Sequence, residues 1–226
     1  MKNKQVVALT GSTRGKKTAS ESIVNYLQDV LADEKVEICK YRVYQIYKSE
    51  NMVEELMTVL GEVDLLLISS PVYVHSLPYP LTFLMEQLAD KTEQEFWTGK
   101  QMLAVIHNGY PEDIQRKASF QICENFAREM GMEWLGAIGF GGSPLIEGRP
   151  LEETGGFFKW MRRALDEVGD SIVSGERISA QAREYEEKHF PSLPRWILKI
   201  LFNLRVKFMA RRKGVDLTAR PYEEID

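Results

Sequence analysis

Three short segments carry the residue types that bind an anion and a flat ring. The first reads Thr10-Gly11-Ser12-Thr13-Arg14-Gly15-Lys16-Lys17-Thr18-Ala19-Ser20. Its glycines let backbone N–H groups turn inward, its hydroxyls donate hydrogen bonds, and a helix starting at its end adds a positive dipole; together these suit a phosphate. The competing reading is a plain turn in which Thr18 or Ser20 only caps the helix. A nucleotide-triphosphatase loop does not fit the G-x-x-x-x-G-K-[ST] spacing, because three residues separate Gly11 from Gly15 and two lysines intervene before Thr18. The second segment runs Ser69-Ser70-Pro71-Val72-Tyr73-Val74-His75-Ser76-Leu77-Pro78-Tyr79-Pro80. Its prolines and tyrosines stiffen a connection longer than a strand-to-helix turn requires, and its aromatic and backbone groups suit a flat heterocycle. His75 is its one candidate for proton chemistry, set against a packing role for His75 and Tyr73 on the following helix. The third, Ile106-His107-Asn108-Gly109-Tyr110-Pro111-Glu112, holds an Asn-Gly turn. It also reads as an ordinary turn into a helix that begins with Glu112 and Asp113.

The surrounding pattern predicts how these segments meet. Short apolar runs at about 4–10, 35–44, 63–69, 101–107 and 133–139 read as strands and alternate with helical spacing, which predicts a parallel sheet covered on both faces. Val6-Val7-Ala8-Leu9 and Leu65-Leu66-Leu67-Ile68 are apolar at consecutive positions, so they belong in the sheet centre. Helical stripes run through Ile23, Leu27, Val30 and Leu31; Val53, Leu56, Met57 and Leu60; and Leu81, Leu84, Met85 and Leu88. Two more run through Ile122, Phe126 and Met130, and through Phe158, Met161, Leu165 and Val168, with Gly131 placed to stop the fourth helix. Right-handed crossovers reduce five strands to a few doubly wound α/β sheets and favour the order 2-1-3-4-5. Ligands then bind at the carboxyl ends of strands 1 and 3, beside strand 4, where all three segments lie.

Composition narrows the function classes. The chain has 226 residues, is 44% hydrophobic and 27% charged, and carries a formal net charge of −4, so one globular core is expected and no overall basic field exists to hold nucleic acid. Cys39 and Cys123 form neither a C-x-x-C motif nor a disulfide framework, which fits a reducing cytoplasm. Val6–Leu9 is too short for a signal segment, and no stretch reads as an uncharged membrane span. We expect a cytoplasmic protein.

At the quoted residues the sequence resembles the flavodoxin-like NAD(P)H-dependent FMN reductases, a superfamily that includes iron–sulfur flavoproteins and quinone reductases. The match lies in Gly11-Ser12-Thr13-Arg14 with Thr18-Ala19-Ser20, in Ser70-Pro71-Val72-Tyr73 with Pro78, and in Asn108-Gly109, across roughly residues 4–140. The resemblance implies that Ser12, Arg14, Thr18 and Ser20 anchor the FMN phosphate. It implies that Pro71, Val72, Tyr73, Val74 and His75 lie along the ring, with Asn108, Gly109 and Tyr110 on the ring's other side. It further implies NADH or NADPH as electron donor and a small-molecule acceptor such as a quinone or flavin; an electron carrier or a flavin-sensing interaction protein are the rivals. The compact cysteine cluster of iron–sulfur flavoproteins is missing, so no metal is expected, and Thr18-Ala19 stands where Ser-Asn is more usual.

The β–α alternation stops near residue 175, which divides the chain into an FMN-binding domain (1–175) and a helical, basic extension (176–226). Residues 190–215 hold seven basic side chains and no acidic one. Apolar residues from Trp196 to Met209 need a partner, and the basic residues scatter around the helix instead of gathering on one face. Packing in a homodimer or on the chain's own domain is therefore ranked above contact with an anionic membrane surface.

Overall fold

The computed structural model describes residues 3–15, 17–110, 112–187 and 195–218. The two central apolar runs become β1 (Lys4–Thr10) and β3 (Leu65–Pro71), and every position of β3 is buried. With β2 (Val36–Arg42), β4 (Gln101–His107) and β5 (Glu133–Phe140) they form one parallel sheet in the order β2-β1-β3-β4-β5. This is the flavodoxin-like order expected from the sequence.

Because side chains alternate across a strand, the sheet supports two cores. Val7, Leu9, Leu66, Ile68, Met102 and Ile106 face α3 (Glu50–Gly61), α4 (Tyr79–Lys91) and α6 (Lys117–Glu129). Val6, Ala8, Leu65, Leu67, Leu103 and Val105 face α1 (Ala19–Val30) and α7 (Lys159–Ser174). Two one-turn helices, α2 (Val43–Ile46) and α5 (Gln94–Trp97), add to the five expected.

Three details differ from the periodicity. The second strand ends at Arg42, and Val43 and Tyr44 enter α2. The third strand continues through Ser70 and Pro71, whose Cα registers with His107. In α6 the fully packed stripe is Ser119, Cys123 and Ala127, while Ile122, Phe126 and Met130 are only partly buried. Small residues let that helix approach the sheet closely, so the larger apolar ones flank the contact.

The chain divides into Met1–His189 and Phe190–Asp226. The first unit extends past the expected break at 175 because the charged segment that follows covers β5, an edge strand with otherwise unpaired backbone groups. Ile178 N donates to Leu135 O at 2.9 Å, and α8 (Ala180–Glu187) brings Glu186 Oε1 to Gly139 N at 2.9 Å. In the second unit α9 (Arg195–Arg212) is the expected helix, closed by a bond from Val215 N to Ala210 O. Among the described residues no helix is long and apolar enough to cross a membrane.

Candidate functional site

The β1–α1 loop is fixed from below. Gly11 N donates to Ser69 O at 2.9 Å, and a side chain at Gly11 would overlap Ser70 Oγ and stand 3.0 Å from Leu81 Cδ2, so only glycine fits. At the start of α1, Thr18 Oγ1 accepts from Glu21 N at 3.2 Å, and Glu21 Oε2 reaches back to Lys17 N at 3.0 Å, a reciprocal cap. Burial pushes the Glu21 carboxyl up, but Arg42 and the Lys17 and Thr18 amides outweigh it and hold it below the usual carboxylate range. Ser12 Oγ accepts from Arg14 N at 3.3 Å, and the Arg14 side chain is exposed. The sequence alternatives at Thr18 are therefore compatible: each hydroxyl oxygen of Ser12 and Thr18 is used as an acceptor, and each O–H is still available to donate.

Ser20 behaves differently. It is fully buried, and its Oγ lies 2.8 Å from His107 Nε2, while its carbonyl accepts from Ser69 Oγ at 3.1 Å. Burial drives the His107 pKa down to about 3, so the imidazole is neutral. The Ser20 hydroxyl is thus committed beneath the loop, and what it can offer an anion is its backbone N–H in the first helical turn.

Beyond β3 the chain makes a two-residue hairpin. Tyr73 N donates to Ser76 O at 2.8 Å and Ser76 N to Tyr73 O at 3.1 Å, with Val74 at φ 51° and His75 at φ 64°. Such a turn favours Gly and Asn at both central positions, and a β-branched residue with positive φ is strained. Val74 is 94% exposed and Tyr73 39%. A long hydrogen bond, 3.3 Å from Thr13 Oγ1 to Tyr73 Oη, joins this turn to the β1–α1 loop. Val72 N donates to His107 O at 2.8 Å, which ties it to β4.

The segment after β4 is the most heavily tied of the three. Asn108 N donates to Phe140 O at 2.9 Å, and Asn108 O accepts from Ser143 N and Ser143 Oγ at 3.0 Å each. Asn108 Oδ1 accepts from Arg116 Nη1 at 3.0 Å, whereas buried Asn108 Nδ2 has no partner. Gly109 lies against Pro144, and Tyr110 is exposed. Arg116 is fully buried and also pairs with Asp113 through Nη2. Burial pushes the nearby Glu186 carboxyl up to about 7, against the pull of Arg116 and the Gly139 N–H. Sequence reasoning missed Arg116, Glu186 and His107, whose roles arise from contacts between segments far apart in the chain.

All three segments thus meet at the carboxyl edge of β1, β3 and β4. The model for the NADPH-dependent FMN reductases matches residues 5–137, more than half of the chain. The chain belongs to that family. It is accordingly an NAD(P)H-dependent FMN oxidoreductase, with FMN as cofactor and a nicotinamide as donor.

Solved structures agree on the fold. An apo NADH:FMN oxidoreductase, EmoB, is similar over 80% of this chain and 94% of its own, with TM-score 0.57 and 17% identity. RosB, with the bound intermediate 8-demethyl-8-formylriboflavin-5'-phosphate, is similar over 99% of this chain and 92% of its own, with TM-score 0.57 and 14% identity. A flavodoxin, WrbA-like protein from Agrobacterium tumefaciens is similar over 81% of this chain and 99% of its own, with TM-score 0.52 and 11% identity. No curated protein matches the sequence.

The residues of this FMN reductase suit its cofactor. The unspent hydroxyl donors of Ser12 and Thr18 and the N-terminus of α1 match a phosphate ester. The unpartnered Asn108 Nδ2 matches the hydrogen-bond acceptors along the edge of a flavin ring.

Proposed function

We propose that the protein takes electrons from NADPH or NADH and delivers them to a small diffusible acceptor, a quinone or a free flavin. The observation that carries this reading is the Tyr73–Ser76 turn, which holds Val74 out at 94% exposure in a strained conformation beside the phosphate-suited loop. An exposed apolar residue held at conformational cost suits a site where planar molecules come and go.

In this reading Ser12, Arg14 and Thr18 hold the FMN phosphate through their side chains and Ser20 through its backbone. Pro71, Val72, Tyr73, Val74 and His75 form one wall for the ring, and Asn108, Gly109 and Tyr110 form the other. Bound FMN supplies two-electron uptake from the nicotinamide and release to the acceptor; the protein's part is orientation and electrostatics. His75, part of the first wall, is exposed and is the candidate there for proton transfer.

We further propose that the protein works in the cytoplasm as a homodimer or higher homo-oligomer that buries the apolar surface of α9. Ile200, Leu204 and Phe208, spaced four residues apart, are 49%, 59% and 66% exposed. Light scattering of the chain truncated at residue 190 should show a smaller assembly; unchanged assembly with lost binding to anionic vesicles would favour a membrane surface instead.

The catalytic reading is tested by anaerobic titration of FMN-loaded protein with each nicotinamide, followed by addition of a quinone or free FMN. Bleaching of the flavin and its recovery on adding acceptor are expected. A flavin that neither nicotinamide bleaches would assign the protein to electron carriage or sensing.

A further inference from the structure

Arg116 is expensive. Its guanidinium is fully buried, it sits at the N-cap of α6 where the helix dipole disfavours a cation, and its Nε has no partner. The fold nevertheless makes room for it: a Cβ on Gly139 would overlap Arg116 Nε and stand 2.7 Å from Arg116 Cδ and 2.8 Å from Phe120 Cζ. A slot shaped around one charged side chain calls for a reason beyond stability.

Asn108 supplies one. Its backbone N–H and carbonyl are both paired, to Phe140 O and to Ser143. Its carboxamide has an accepting end and a donating end, and a donor on Oδ1 selects the orientation that turns Nδ2 the other way. Arg116 Nη1, 3.0 Å from Oδ1, is that donor. Arg116 accepts nothing, so the inverted amide would face it donor to donor. A buried amide donor without a partner is destabilising, and that cost is relieved where a ligand brings an acceptor.

We propose that Arg116 is a positioning residue for flavin binding, locking the Asn108 carboxamide so that its Nδ2 group is held ready as a hydrogen-bond donor to the ring. This rests on the reading of Asn108 as part of the ring wall. Arg116 itself does not touch the ring; it acts through Asn108, and Gly139 acts through Arg116.

The test is a set of FMN titrations on the wild type, Arg116→Met, Asn108→Ala and the double variant, with thermal melts to confirm folding. Each single variant should bind FMN about fivefold more weakly and shift the visible flavin spectrum alike, and the double variant should bind no more weakly than Asn108→Ala alone. Gly139→Ala keeps the charge while displacing the guanidinium; it takes the place of Arg116→Met if that variant does not fold, with the same comparison. Losses that multiply in the double variant, or a folded Arg116→Met that binds FMN and absorbs as the wild type does, would overturn the positioning role and leave Asn108 in the ring wall. Wild-type affinity in Asn108→Ala would overturn both.

Discussion

The two walls proposed to flank the flavin ring are built in opposite ways. The β4 wall is anchored through one buried residue: Asn108 bonds to Phe140, Ser143 and Arg116, with Glu186 and Gly139 behind it, while Gly109 and Tyr110 beside it are exposed. The β3 wall is open, with Val74 exposed and in a left-handed conformation, held by two turn bonds and by the reach of Thr13 to Tyr73. One wall spends buried polar groups to fix a hydrogen-bond donor. The other spends backbone strain to hold an apolar surface in reach of molecules arriving from solvent. A fixed donor suits a ligand that stays in place, and an open apolar surface suits ligands that exchange with solvent.

The largest effect is expected on the anchored wall. The Glu186 carboxyl rises from its ordinary 4.5 to about 7, so the folded protein holds that proton more tightly than the unfolded chain does. Stability from this group is therefore full below pH 4.5 and is lost as pH climbs through 7, by about 3 kcal/mol in all. Glu186→Gln, which keeps an oxygen for Gly139 N, should flatten the pH dependence of the melting temperature over that window and stabilise the protein at neutral pH. A window unchanged by the substitution would deny the anchored wall its strained carboxyl.

Next comes the floor between the walls. Gly11→Ala places a Cβ over Ser70 Oγ and 2.9 Å from Ser70 Cβ, and should cost about 2 kcal/mol in urea unfolding. Ser12→Ala with Thr18→Ala removes two donors to a charged acceptor and should weaken FMN at least about tenfold by fluorescence titration, without moving the visible spectrum of the bound ring. The smallest effect belongs to the open wall: Val74→Gly relieves the left-handed strain and should raise stability by about 1 kcal/mol while weakening turnover of the acceptor. A destabilised Val74→Gly protein would mean that the turn is not strained and would erase the contrast.

The sheet was legible because its two central strands are apolar at consecutive positions and alternate with helical stripes, the pattern of a parallel sheet covered on both faces, and handedness narrowed its order to a few topologies. The loops were legible as composition, through Gly11, Ser12 and the Pro-Tyr-rich run after β3. Side-chain commitments were not. Nothing in the sequence says that Ser20 bonds to His107, eighty-seven positions away, or that Arg116 reaches back to Asn108. The end of the β–α alternation placed 176–187 with the helical extension, yet this segment covers the β5 edge, because Ile178 and Glu186 satisfy backbone groups that no strand pairs. Residues 188–194 and 219–226, part of the expected extension, lie outside the described residues.

The most direct measurement is a crystal structure of the FMN-loaded protein. The phosphate should accept hydrogen bonds from the Ser12 and Thr18 hydroxyls and from backbone N–H groups at the start of α1, with the ring between the Tyr73–Ser76 turn and Asn108 and Nδ2 of Asn108 bonded to it. A phosphate in solvent, or a ring seated away from both walls, would contradict the assignment of the site.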